Sequence, residues 1–160
     1  MILFQQIPHL PVVGELAPDV MFRRADGSSL PLKSLRGRVV VIEFTALNCP
    51  PCRELAPKLE EFAAKHPEAV FLTIATDPPA NLPRLTALRG KDARTELVQD
   101  SYDPDRSKMA VWKFGNVAVP TMFVIGPDGR MASRLIQQGV DGLSHVAERI
   151  AWAMKKRTAP

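Results

Sequence analysis

The stretch that decides the fold is Arg38-Val-Val-Val-Ile-Glu-Phe-Thr-Ala-Leu-Asn-Cys-Pro-Pro-Cys52. Its first half is an unbroken β-branched run, the pattern of a central strand covered on both faces. Its second half opens a different periodicity. Leu55, Leu59, Phe62 and Ala63 recur at helical spacing, with Glu60, Glu61 and Lys65 assigned to the solvent side. This predicts a helix over 49–65, kinked at Pro57 and ended by His66-Pro67. Val70 to Ala75 reads as a second apolar strand, so residues 38–76 form a β-α-β unit with parallel strands and a right-handed crossover.

Outward from this unit the elements are shorter. Residues 1–18, punctuated by Pro8, Pro11 and Pro18, read as an irregular lead-in, and residues 19–157 as one domain. Asp19–Phe22 and Leu30–Leu32 are extended around the turn Ala25-Asp-Gly-Ser28. Ser34–Arg36 makes one helical turn stopped by Gly37. The proline-rich segment 77–102 reads mainly as a surface loop, with a short helix at 83–89 and a brief strand at Thr95–Gln99. Pro104–Phe114 predicts a helix capped by Asp103. Met122–Ile125, the turn Gly126-Pro-Asp-Gly129 and Met131–Ile136 predict a hairpin. Leu143, Val146, Ile150 and Met154 form the inward stripe of a final helix over 142–156. The order implies an α/β fold: a mixed central β-sheet flanked by helices on both faces.

At 160 residues the chain is long enough for one core, and 46% apolar with 24% charged residues is ordinary globular usage. The net charge is +4, but the basic residues are scattered and the aromatics, 6%, do not interleave with them, which argues against nucleic acid. The run Lys155-Lys-Arg157 suits the negative end of a helix. No stretch is long and apolar enough to span a membrane. The N-terminus lacks the basic region of a signal peptide, which leaves both a cytoplasmic location and a processed chain open.

The two cysteines, Cys49 and Cys52, are too few for a disulfide framework, and a bridge between them closes a loop too small to stabilise much. Chemistry explains the pair better. A thiolate at a helix N-terminus is favoured by the backbone donors and the macrodipole, so Cys49 is the exposed attacking sulfur and Cys52 the resolving one. Pro50 and Pro51 remove two N–H donors from around Cys49 and stiffen the loop. A moderately lowered Cys49 pKa, helped by Arg53, is expected. Half of a zinc site or an inert buried pair are the alternatives. His9, His66 and His145 lack ligand spacing, so no metal or other cofactor is expected.

Together with Gly14-Glu-Leu-Ala-Pro-Asp19, Leu32-Lys-Ser-Leu-Arg-Gly-Arg38, Cys49-Pro-Pro-Cys-Arg-Glu54 and Val119-Pro-Thr121 before Phe123-Val-Ile-Gly-Pro-Asp-Gly-Arg130, these features resemble the TlpA/ResA type of thioredoxin-like thiol-disulfide oxidoreductase. The resemblance implies that Glu43 is a buried acid able to take the Cys52 proton; its alternative is a strand-end surface residue. It implies that Pro120 is cis and packs on the Cys49–Cys52 loop, with Val119, Thr121, Pro50 and Pro51 meeting an extended substrate. It implies protein disulfide or dithiol partners, an upstream electron donor, a monomer, work as a reductase, and a place in the periplasm or cell envelope. One departure is Asn48, where the family usually has Trp; Asn48 is expected to cap the helix. Two other functions compete. One is a thiol peroxidase of the peroxiredoxin type, although Thr45 stands four residues before Cys49 where that type has three. The other is a binding or chaperone domain with incidental cysteines.

Overall fold

All seven residues of Val39–Thr45 are buried, as a strand covered on both sides requires. In the computed structural model, which describes residues 7–157, this strand is β3 of a six-stranded mixed sheet. The others are β1 (Met21–Arg23), β2 (Ser29–Pro31), β4 (Ala69–Ala75), β5 (Glu96–Gln99) and β6 (Thr121–Ile125), in the order β2-β1-β5-β4-β3-β6. β3 pairs parallel with β4 and antiparallel with β6; β4 pairs parallel with β5. The helices are α1 (Pro50–Ala64), α2 (Leu82–Arg89), α3 (Ala110–Lys113) and α4 (Leu143–Arg157).

The period of two along β3 sorts its side chains into two cores. Val40, Ile42 and Phe44 join Phe114, Phe123 and the α3 residues Ala110 and Val111 on one face. Val39 and Val41 join Leu55, Leu59, Val146 and Ile150 of α1 and α4 on the other. Glu43, in phase with Val39 and Val41, therefore points beneath α1. The helix runs through Pro57, whose ring lies on the exposed side.

Three expectations are corrected. The short helix and brief strand expected within 77–102 are present as α2 and β5, but the segment is more than a surface loop. Its α2 and β5 close a third cluster through Leu85, Leu88 and Leu97 against Leu47 and Ala75. The helix expected over 104–114 is broken at Met109, whose backbone is extended (φ −72°, ψ 145°). Buried Asp100 causes the break: its carboxylate accepts the N–H groups of Ala110 (2.7 Å) and Val111 (2.9 Å) and so starts a new helix. Asp105, not Asp103, caps the preceding turn by accepting from Ser107. The return arm 131–136 is no continuous strand. It forms ladder bridges with β6 at Ile125–Met131 and Met122–Ile136. Between them Ala132 and Ser133 both donate to the Val124 carbonyl, and the Ser133 hydroxyl accepts the Val124 N–H at 2.8 Å.

Gly129 closes the turn before this arm at φ +79°, where a Cβ would also meet Arg36 Nε at 2.7 Å. The lead-in, of which residues 1–6 lie outside the described residues, runs along the arm through Gly14 to Met131, Met131 to Glu15 and Ala17 to Gly129 hydrogen bonds. The expected reading of the extreme N-terminus falls on those undescribed residues. At the other end Lys156 and Arg149 stack on Trp152, with 4.0 and 4.2 Å to the ring. Among the described residues no helix is long and apolar enough to cross a membrane.

Candidate active site

β3 delivers the chain to Leu47, whose N–H donates to the Asp77 carboxylate (2.6 Å), and then to the cysteine loop. Cys49 itself is the N-cap of α1. Its Sγ accepts the Cys52 N–H at 3.2 Å, while Pro50 and Pro51 fill the first helical positions and offer no donor. Asn48 is exposed and takes no part in the cap, which corrects that expectation: the sulfur occupies the place an Asn side chain would take. Cys49 and Cys52 are joined as a disulfide with Cα atoms 5.2 Å apart. Cys49 is not exposed in the ordinary sense, at 7%, but it is more accessible than Cys52 at 2%.

The two sulfurs have different neighbours. Cys49 Sγ lies 3.7 Å from the Val119 carbonyl oxygen, and the Val119–Pro120 peptide is cis. Val119 sits between two surface grooves. One, of about 570 Å³, is walled by Tyr102, Arg106 and Val117. The other, of about 500 Å³, is walled by Pro51, Glu54 and Asp141. Pro50 and Pro51 are exposed at the lip. Thr121 is different: it is fully buried, and its hydroxyl donates to the Ala118 carbonyl and accepts from Gln137. It braces the Val119 edge from behind.

Cys52 faces inward. With Glu43, Glu60, Thr73 and Arg89 it lines a cavity of about 10 Å³, room for about one water molecule. Glu43 is 3% exposed and not a surface residue. Burial pushes its carboxyl up to about 7 from the usual 4.5; hydrogen bonds from Thr73 and Thr45 and the charge of Arg89 pull it down, and the charge of Glu60 pushes it up. A carboxyl balanced there can hold or release a proton near neutrality.

Glu60, Thr73, Arg89 and Thr95 escaped the reading of the sequence, which placed Glu60 in solvent. Glu60 is buried because α2 packs beside α1 and widens the covered stripe. Arg89 donates to its Oε1 at 3.1 Å, and the Arg94 N–H, Thr95 N–H and Thr95 hydroxyl donate to it as well. The signal was present in Cys52, Ala56 and Glu60, spaced by four along one face of the helix. Among the described residues no three His, Cys, Asp or Glu side chains converge as metal ligands would.

A family model described as AhpC/TSA matches residues 13–134, which include Glu43, Cys49, Cys52 and Val119–Thr121. The chain belongs to the AhpC/TSA family. Among the chain's relatives in sequence is a thioredoxin H-type protein of Oryza sativa subsp. indica, 54% identical over 41 residues, 26% of this chain and 34% of that protein. The thiol-disulfide oxidoreductase ResA of Bacillus thuringiensis is 25% identical over 125 residues, 78% of this chain and 69% of the relative. The matches span between 34% and 66% of the length of the thioredoxin H-type relatives from rice and Brassica campestris. In fold, the thioredoxin domain of a thiol-disulfide oxidoreductase from Bacteroides vulgatus superposes with a TM-score of 0.70 at 20% identity, covering 86% of this chain and 96% of that one. The thioredoxin-like α/β fold and the kinship to thiol-disulfide oxidoreductases hold as expected.

Proposed function

We propose that this protein exchanges its Cys49–Cys52 disulfide and dithiol with protein partners, working as a reductase. The observation that carries the reading is the division of the pair: Cys49 lies against the backbone of Val119, and Cys52 against the buried carboxyl of Glu43.

In the reductive direction the Cys49 thiolate attacks one sulfur of a partner disulfide. A mixed disulfide forms, and the partner's other sulfur leaves as a thiolate that takes a proton from water. The Glu43 carboxylate then removes the proton from Cys52, directly or through one water in the shared cavity. The Cys52 thiolate attacks Cys49 Sγ, the Cys49–Cys52 bond closes, and the second partner sulfur is released. Two electrons pass from the protein to the partner, and an upstream dithiol donor restores them. Val119 offers its backbone to an extended partner segment as an added strand, Pro120 holds that edge, and Pro50 and Pro51 form its lip.

The test is reduction of insulin disulfides, with Cys52→Ala used to trap and identify the partner attached to Cys49. Turnover that requires both cysteines supports the reading. Rapid consumption of hydrogen peroxide without disulfide reduction replaces it with a thiol peroxidase, against which stands the Thr45 hydroxyl, engaged with Glu43.

A further inference from the structure

The cluster of Glu60, Arg89, Thr95 and Thr73 does more than fasten α2 to α1. We infer that Arg89 and Glu60 are positioning residues for Glu43, a buried charge pair linked to it through two threonine hydroxyls that sets how readily Glu43 exchanges its proton. The inference rests on Glu43 serving Cys52 as proposed above.

The geometry is a chain with few protons to share. The Thr73 hydroxyl donates to the Thr95 hydroxyl at 3.2 Å, and the Thr95 hydroxyl donates to Glu60 Oε1. Arg89 Nε donates to both Glu60 Oε1 and Thr95 Oγ1, each at 3.1 Å. Each hydroxyl has one proton to give. That of Thr95 is committed to Glu60. Thr73 can give its proton either to Thr95 or to Glu43. When Glu43 is neutral it donates to Thr73, and the chain runs unbroken to Glu60. When Glu43 is ionised Thr73 can turn towards it beside Thr45, and Thr95 then loses that donor. Arg89 still bonds the Thr95 oxygen, so neither state leaves a buried polar atom unpaired.

The charges act in the same place. The titratable or charged side chains facing the Glu43 cavity are Cys52 and Glu60 from α1 and Arg89 from α2, while β4 and β5 contribute Thr73 and Leu97. On β6, Met122 lies opposite Glu43. The Arg89 cation favours ionised Glu43, and the Glu60 anion favours the neutral form. Arg89 and Glu60 are both nearly excluded from water, with side chains 9% and 10% exposed, so their fields are weakly screened.

A purely structural bridge and a charge relay predict different signs. Breaking the bridge from either end loosens the same contact. Removing one charge or the other moves Glu43 in opposite directions. The experiment is a carbon NMR titration of the Glu43 carboxyl in the oxidised protein. Glu60→Gln is expected to lower its midpoint, and Arg89→Gln to raise it, each by on the order of one pH unit, with Arg89→Lys close to the parent. Shifts in one common direction, or none, overturn the inference. If Arg89→Gln does not fold, the other two decide: a fall in Glu60→Gln with no change in Arg89→Lys supports it, and an unmoved Glu60→Gln overturns it. The role of Glu43 itself is judged separately. If Glu43→Gln resolves the mixed disulfide at the parent rate, the proton-carrier reading fails, whatever the titrations show.

Discussion

Cys49 and Cys52 stand one helical turn apart and look into opposite kinds of surroundings. Cys49 meets main chain at Val119, which itself lines two open grooves, and has no ionisable side chain among its hydrogen-bond partners. Cys52 meets a closed pocket that holds Glu43, Glu60 and Arg89. Exchange with another protein needs an edge that any extended segment can pair with, and backbone supplies it. Proton transfer near neutrality needs a carboxyl shifted upward, and a pocket shut off from bulk water supplies that. In the proposed mechanism one helix N-terminus separates the two tasks.

The sharpest way to break this comparison is to remove each sulfur in turn. Cys49→Ser is expected to slow attack on a disulfide substrate by at least about a thousandfold, since a hydroxyl is far less ionised than a thiol near neutrality. Cys52→Ser should leave that attack nearly intact and accumulate the mixed disulfide, read by rapid quench and mass spectrometry. Equal losses in both first steps would erase the division.

Glu43 tests the inner side. Glu43→Gln is expected to slow resolution by about a hundredfold near neutral pH while sparing attack. The parent rate should fall as pH drops through about 7, because the carboxylate is the working form, and the variant should be flat there. Stability carries the opposite sign. The folded-state pKa is raised from 4.5 to about 7, so the folded protein holds the proton more tightly than the unfolded chain. The contribution is whole below the lower value and is lost as pH rises through the upper one, about 3 kcal/mol in all. Denaturant titrations of the oxidised protein at successive pH values should show this slope, and Glu43→Gln should lack it.

Asp100→Ala tests the outer side. Loss of the two capping bonds to α3 should cost about 2 kcal/mol in denaturation. Because the chain from α3 leads to Val119, KM for a protein disulfide should rise while the pH midpoint of resolution stays fixed. The smallest effect belongs to Pro51→Ala, which restores one N–H beside the Cys49 sulfur. It should lower the thiol pKa by about half a unit, read from thiolate absorbance in the reduced protein.

The outer side was largely legible in the sequence, and on the inner side Cys52 and, through the family resemblance, Glu43 were legible too, but the residues around them were not. The β-branched run, the cysteine spacing and the prolines after Cys49 are local patterns, and each fell where the pattern put it. Pro120 became meaningful through a family resemblance, since nothing in a single Val-Pro pair specifies its isomer. The inner pocket depends on partners far apart in the chain. Glu60 looked solvated because the stripe was drawn through Leu55, Leu59 and Phe62, whereas α2, 29 residues on at Arg89, covers its flank. The helix that brings Arg89 was legible at 83–89, with Pro83 in its first turn, where proline is tolerated, but its packing against α1 was not. Asp100 was missed for a similar reason: it caps from ten residues upstream, across the end of a strand.

The arm 131–136 and the lead-in laid along it have a consequence for how these molecules meet one another. β6 would otherwise present a bare row of donors and acceptors to any neighbour. The arm occupies that flank, and the lead-in covers the start of the arm. At the opposite margin β2 is three residues long and ends in Pro31, which has no N–H to give. Both rims of the sheet are thus poor templates for stacking copies of the chain into fibrils. In the proposed exchange the protein holds other chains by their backbones, while both rims of its own sheet are ill-suited to pairing with a second copy.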